Sequence, residues 1–265
     1  MQNFSNKVVW ITGASSGIGE ALCYEFAKLN CKLIISARRL NELERVKKNC
    51  SENQNQIFIL PFDLSDAANC KGLAEQVIQH FGRIDVLINN GGVSQRSLAE
   101  ETPLEVDRRI FETDYFSTIA LTKSVLPYMI AQKSGYLVAT SSVAGKYGFF
   151  LRSSYAAAKH ALHGFFESLR FEVMKYNIKV SLICPGKIKT HISLNALNAK
   201  GEKFGKMDES TEKGISAAQC AKKILEGLHQ EKEEIFIGGK EILPVYIKRF
   251  FPGLFTWIMK RQKVE

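Results

Sequence analysis

The 265-residue sequence has no CxxC pair, no Cys/His ligand spacing, no internal repeat and no low-complexity segment. Its six cysteines (Cys23, Cys31, Cys50, Cys70, Cys184 and Cys220) are widely separated, which argues against a zinc site and against the disulfide framework of a secreted protein. No metal is expected, and the cysteines read as small buried apolar residues of a chain that works in a reducing cytoplasm. Residues 1–6 are polar and lead into no apolar stretch with a cleavage site, so no secretory signal is expected. The most apolar late stretch, Ile242 to Met259, is interrupted by Pro244, Lys248, Arg249 and Pro252, which excludes a membrane-spanning helix there. The formal net charge of +9 attracts anions. Yet the basic residues are scattered and neither a helix-turn-helix nor an RNA-binding motif is present, so nucleic acid is not an expected partner.

What is present is an alternation. Apolar runs of strand length fall at 7–12, 32–36, 57–62, 84–90, 136–141, 179–184 and 234–238, and helical patterns at about 17–30, 40–51, 66–81, 103–131, 152–176 and 215–229. Strands separated by helices imply an α/β fold: a seven-stranded parallel sheet covered by helices on both faces. Asp66 is expected to open the third helix, Thr102-Pro103 to cap the fourth, and Ser153-Ser154 to start the fifth. At 45% hydrophobic residues the chain can bury one core, so residues 1–239 are read as a single domain. Within it, 190–214 is polar and weakly periodic, a mobile flap or irregular helical excursion. Residues 240–265 form an apolar and basic C-terminal extension packed on or beside the domain.

Directly after the first strand comes TGASSGIG (12–19), leading into an apolar-periodic helix. In that position Gly13 permits a tight turn, Gly17 lets the backbone approach a phosphate, and Gly19 lets helix and strand pack closely, while the helix N-terminus offers free N–H groups to an anion. This segment resembles the cofactor motif of the short-chain dehydrogenase/reductase family, and further matches follow along most of the chain. The resemblance implies a Rossmann-type, doubly wound fold, and it implies cofactor contacts from Ser15, Ser16 and Ile18 of this turn, from Asp63-Leu64 and from Asn89-Asn90-Gly91-Gly92. The second strand ends in Ser36-Ala37-Arg38-Arg39. With Ala37 where NAD-type members carry a carboxylate, Arg38 first and Arg39 second offer cations to a 2′-phosphate, so NADP(H) is the expected cofactor.

Tyr155 and Lys159 stand four residues apart, on one face of the helix expected over 152–176. A phenol ionises near pH 10, and a nearby ammonium stabilises the phenolate, which suits a group that gives a proton to a carbonyl oxygen and takes it back from an alcohol. Ser142, at the end of the fifth strand, has the spacing of the family's catalytic serine, able to hold the substrate oxygen. Tyr155 and Lys159 also belong to the implied cofactor contacts, as do Pro185-Gly186, which shape a turn, and Ile188 and Thr190, assigned to the nicotinamide carboxamide. The chain departs from the family at Asp114, which stands where a fourth catalytic residue, asparagine, is expected; Ser117 replaces a family glycine. Aspartate either preserves a water relay to Lys159 through its backbone carbonyl or pairs with Lys159 and raises its pKa.

Val93, Phe149 and Phe150 near Tyr155 suggest a bulky or hydrophobic carbonyl or alcohol substrate, with Ser142, Val93, Phe149 and Tyr155 as contacts. TIALTKSVLPYMI, YAAAKHALHGFFESLRFEV and the tail are most similar to the branch containing the dehydrogenase/reductase member 7 group and hydroxysteroid-dehydrogenase-like enzymes. A 3-oxoacyl thioester reductase is the alternative enzyme; an NADP(H)-binding sensor with weak turnover, because of Asp114, is the alternative of another class. The family implies a homodimer or homotetramer, and the tail caps the pocket, packs in an oligomer or makes peripheral contact with a membrane.

Overall fold

Successive side chains of a strand point to opposite faces, and here both faces are buried. In the computed structural model, which describes residues 3–261 without the side chains of 51–53, Val9 and Ile11 join one apolar cluster and Val8 and Trp10 the other. The described residues form β1 (Val8–Thr12), β2 (Lys32–Ser36), β3 (Ile57–Ile59), β4 (Val86–Asn89), β5 (Gly135–Thr140), β6 (Ile178–Pro185), β7 (Ile188–Lys189), β8 (Ile215–Ser216) and β9 (Glu234–Ile237). Seven of these make a parallel sheet in the order β3-β2-β1-β4-β5-β6-β9, and β7 and β8 form a separate parallel ladder. All seven expected strands are present, and the sheet is the expected Rossmann-type one.

Helices α1 (Gly17–Ala27) and α2 (Leu40–Asn49) cover one face of the sheet, and α3 (Cys70–Phe81) the other. Between α4 (Leu104–Phe111) and α5 (Ser117–Gln132) the chain makes a π-turn, Glu112–Phe116, where one uninterrupted helix was expected. A π-turn is an irregularity that apolar periodicity does not encode, and functional sites are a frequent place for it. Helix α6 (Ser153–Val173) packs beside α5 on the face of α3, while α7 (Glu209–Glu212) is a single turn. Helix α8 (Ala217–His229), opened by a capping box of Ser216 and Gln219, joins α1 and α2. The extension is helical: α9 (Leu243–Phe250) and α10 (Pro252–Met259).

Two local expectations need correction. Thr102 does not cap α4, because its hydroxyl donates to the Leu98 carbonyl at 2.7 Å and Pro103 takes the N-cap place. The turn after Asp66 is 3-10, and α3 starts at Cys70. Residues 190–214, expected as a flap or irregular helical excursion, are irregular apart from α7, and Leu197 bonds the body: Arg96 N–H donates to its carbonyl (2.7 Å) and its N–H to that of Ser94 (2.8 Å). Among the described residues no helix is long and apolar enough to cross a membrane.

The strand order reverses between β1 and β4, since the chain leaves β1 outward through β2 and β3 and returns on the other side. A crevice at the carboxyl ends of those two strands follows from the topology.

Candidate active site

The crevice opens into a cavity of about 1440 Å³. At one end the backbone leaves β1 through Gly13, whose φ of +63° and whose hydrogen, where a Cβ would lie 2.7 Å from the Gly91 Cα, make glycine the residue that fits. The first turn of α1 has no side-chain cap, and its one acidic residue, Glu20, is turned away and clasped by Arg45 at 2.7 and 2.9 Å. Gly17 and Ile18, at this uncapped positive end of the helix dipole, therefore line the cavity beside Ser15 and Ser16. Gly19 does not line the cavity; it packs under the turn, against the Gly13 carbonyl and Asn90.

Arg38, Asp63, Leu64, Asn90 and Gly91 border the same space. Burial works to raise the Asp63 carboxyl, but the Ser65 N–H and hydroxyl, with Arg38 and Arg109 nearby, hold it below its ordinary value. Arg39 also lines the cavity and donates to the Ser15 hydroxyl at 3.2 Å. Asn89 does not reach it: the pleat of β4 turns its side chain under α5, where Nδ2 donates to Thr122 Oγ1 at 3.0 Å. Thr12, which the sequence did not single out, closes the crevice, its Oγ1 accepting the N–H groups of Asn90 (3.0 Å) and Gly91 (3.2 Å).

At the other end, Ser142, Tyr155, Lys159 and Asp114 come together in the cavity wall with Val93, Phe149, Pro185, Gly186, Ile188 and Thr190. Ser142 Oγ accepts the Ala144 N–H (3.1 Å) and donates to the Pro185 carbonyl (3.3 Å). Ser141 instead points to α6, bonding the Lys159 carbonyl. The Lys159 Nζ donates to the Thr140 carbonyl at 3.0 Å and lies 5.7 Å from the Tyr155 ring centroid. Asp114, fully buried in the π-turn, accepts the Val93 N–H at 2.7 Å and pairs with Lys159 at 3.2 Å. Its backbone carbonyl accepts the Thr118 hydroxyl at 3.1 Å. Asp114 thus forms the direct ion pair with Lys159. Burial alone would lower the Lys159 amine, but Asp114 first and Tyr155 next outweigh it and hold it above its ordinary value; burial pushes the Asp114 carboxyl up, with Lys159 pulling it back.

Residues 7–200 match the family described as short chain dehydrogenase. The chain belongs to the short-chain dehydrogenase/reductase family. It is 43% identical over 267 residues to a dehydrogenase/reductase SDR family protein 7-like of Anopheles gambiae, covering 98% of this chain and 84% of the relative. It is 42% identical over 271 residues to the Homo sapiens dehydrogenase/reductase SDR family member 7, covering 98% and 80%. A solved short chain dehydrogenase/reductase of Burkholderia phymatum, in complex with NAD, shares the fold with a TM-score of 0.86 over 100% of this chain and 99% of that one, at 22% identity. As a short-chain dehydrogenase/reductase the chain is an oxidoreductase of a nicotinamide-dependent family, and the uncapped turn of α1 beside Gly13 fits a dinucleotide pyrophosphate.

In this dehydrogenase/reductase the support behind Tyr155 is Gln95. Gln95 is fully buried, and its Oε1 accepts the N–H groups of Ser154 (2.8 Å) and Tyr155 (3.3 Å) at the start of α6. Its carbonyl accepts Arg152 Nη1, and Arg152 Nη2 reaches Asp208 at 2.7 Å. The extension also borders the site, with Tyr147 donating to the Glu241 carbonyl (3.0 Å), the Glu241 carboxylate accepting the Lys187 N–H (2.8 Å), and Pro244 and Met259 in the cavity wall.

Behind α6 a second polar cluster was invisible in the sequence. His163 Nδ1 lies 3.2 Å from Glu234 and 3.4 Å from Glu167, Cys184 Sγ lies 3.7 Å from Nε2, and Lys146 pairs with Glu234. Burial works to raise the Glu234 carboxyl, but His163 and Lys146 outweigh it and hold it down at about 2. A depressed carboxyl stabilises the fold above its unfolded value and loses that contribution as pH falls through the folded one. Stability measured by circular dichroism is therefore expected to decline as pH drops from 4.5 toward 2, and Glu234→Gln to flatten that decline; an unchanged acid limb in the variant would assign it to other carboxyls.

Proposed function

We propose that the chain is an NADP(H)-dependent oxidoreductase that interconverts a bulky or hydrophobic carbonyl compound and its alcohol, with Tyr155 as the general acid and base. The observation that carries this reading is the convergence of Ser142, Tyr155 and Lys159 on one cavity that runs on to the bare N-terminus of α1 and to Arg38. When bound, the nicotinamide supplies or accepts the hydride. The Ser142 hydroxyl holds the substrate oxygen, and the Tyr155 hydroxyl gives it a proton during reduction and recovers it during oxidation. Lys159, kept cationic by Asp114, stands as a positive charge 5.7 Å from the Tyr155 ring centroid during the proton transfer. The Phe149 ring, packed with Ala144 and Ala156 beside Tyr155, supplies an apolar wall.

The preference for NADP(H) rests on Arg38, an exposed guanidinium at the cavity edge after Ala37, with no acidic side chain at the strand end. Arg38→Ala is expected to weaken NADPH by about 1.5–3 kcal/mol, roughly 10–100-fold, and NADH much less. A fluorescence titration with both cofactors measures this, and equal losses would remove the 2′-phosphate from the argument. Turnover is tested by NADPH oxidation against hydrophobic ketones, aldehydes and a 3-oxoacyl thioester. Tight NADPH binding without turnover, unrestored by Asp114→Asn, would favour a cofactor sensor.

A further inference from the structure

The C-terminal extension has two sides. Its inner side belongs to the body: Pro244 and Met259 stand in the cavity wall, the Phe255 ring centroid lies 5.5 Å from that of Tyr147, and Lys248 Nζ donates to the Lys146 carbonyl at 3.0 Å. Its outer side is apolar. Leu243, Tyr246 and Phe250 recur at i, i+3 and i+7 along one face of α9, Leu254 and Trp257 at i and i+3 on α10, and Phe251 joins the two helices; all six are between 48% and 69% exposed. They are six of the fourteen large apolar side chains that the described residues expose, gathered within fifteen residues of chain. Such a concentration of apolar surface is unfavourable in water and marks a contact site.

What the face fits is set by its charge. Residues 242–261 include no Asp or Glu, and Arg249, Lys260 and Arg261 are exposed among the aromatic side chains, with the Arg261 guanidinium 3.4 Å from the Trp257 ring centroid. The acid just before the segment, Glu241, is turned onto the N–H groups of Lys187 and Gly239 at 2.8 and 3.1 Å. A second copy seated on this face by a two-fold axis would set these cations against themselves, with no carboxylate in the segment to offset them. Anionic headgroups offset them directly, and Trp, Tyr and Phe rings beside Lys and Arg are the side chains that settle where acyl chains meet headgroups. Each helix has eight residues, too few to span a bilayer, so both would lie in its plane.

We propose that α9 and α10 form a membrane-docking face, whose apolar side chains enter the surface layer of an anionic bilayer while Arg249, Lys260 and Arg261 meet its headgroups. The inference stands apart from the chemistry at Tyr155 and uses none of the residues assigned to it. Because Pro244 and Met259 belong to the same two helices, the docked segment is also a wall of the cavity, which is thereby brought beside the lipid.

The protein has two tryptophans, and Trp10 is fully buried in β1, so a change in tryptophan emission on adding vesicles reads Trp257. The full-length protein is titrated with phosphatidylcholine vesicles, with and without phosphatidylserine, and binding is followed by that emission and by flotation. The expected result is a blue shift, with phosphatidylserine tightening binding by about tenfold or more and added salt reversing the gain. Phe250→Ser with Leu254→Ser, which keeps the Trp257 probe, weakens binding to both vesicles by about tenfold or more. Arg249→Glu with Lys260→Glu removes the preference for phosphatidylserine. All four side chains are exposed, so circular dichroism and NADPH affinity stay those of the wild type. A wild type that binds neither vesicle, or both equally, would overturn the proposal, and so would unchanged binding in either double variant. A dimer in sedimentation velocity that Phe250→Ser with Leu254→Ser breaks, in a protein that ignores vesicles, would assign the face to a second copy instead.

Discussion

Tyr155→Phe is expected to lower turnover by about 10²–10⁴-fold while changing the NADPH dissociation constant by less than about threefold. The substitution removes one hydroxyl and keeps the ring, which packs with Ala144, Ala156 and Phe149. The start of α6 is held through the Tyr155 backbone N–H on Gln95, which Phe retains. Loss of rate without loss of cofactor affinity isolates the proton transfer from binding and fold. Steady-state assays beside a cofactor titration measure both, and activity within tenfold of the wild type would mean that another group serves as the acid.

Asp114→Leu is expected to destabilise the fold by about 3–5 kcal/mol, because it strands a buried ammonium whose remaining partner is the Thr140 carbonyl. Lys159→Met together with Asp114→Leu is expected to recover part of that loss, since removing both charges leaves no orphan. A double-mutant cycle in denaturant measures the coupling, and a coupling below about 1 kcal/mol would mean that the pair is not a unit. Asp114→Asn is the milder counterpart. It keeps an oxygen for the Val93 N–H and removes the carboxylate that holds the buried Lys159 amine above its ordinary value, so the alkaline limb of the pH–rate profile is expected to move to lower pH. A limb that stays in place would show that Asp114 does not modulate the proton step.

The fold was legible because the central strands are buried on both faces and so read as apolar runs, as in Val8 to Thr12 and Val86 to Ile88. The parts of the site that lie next to strand ends were legible for the same reason, since the run locates the end and the residues after it name the chemistry. Asn89 was misplaced because one step of the pleat separates a residue in the cavity from one under α5. The contacts among Gln95, Arg152 and Asp208 gave no signal: they join positions more than fifty residues apart and depend on polar geometry that has no period. The π-turn at Asp114 was hidden by the helical patterns on either side of it, which look continuous. The His163 cluster was hidden likewise, being assembled from α6, β6 and β9.

The bonds that Thr12 accepts from Asn90 and Gly91 span 78 and 79 residues. Bringing such distant neighbours together closes a large loop, which is entropically costly before its contacts form. The crevice is therefore expected to be slow to complete as the polypeptide organises itself. A ligand that occupies it selects chains that have completed the fold, and it holds them there by mass action.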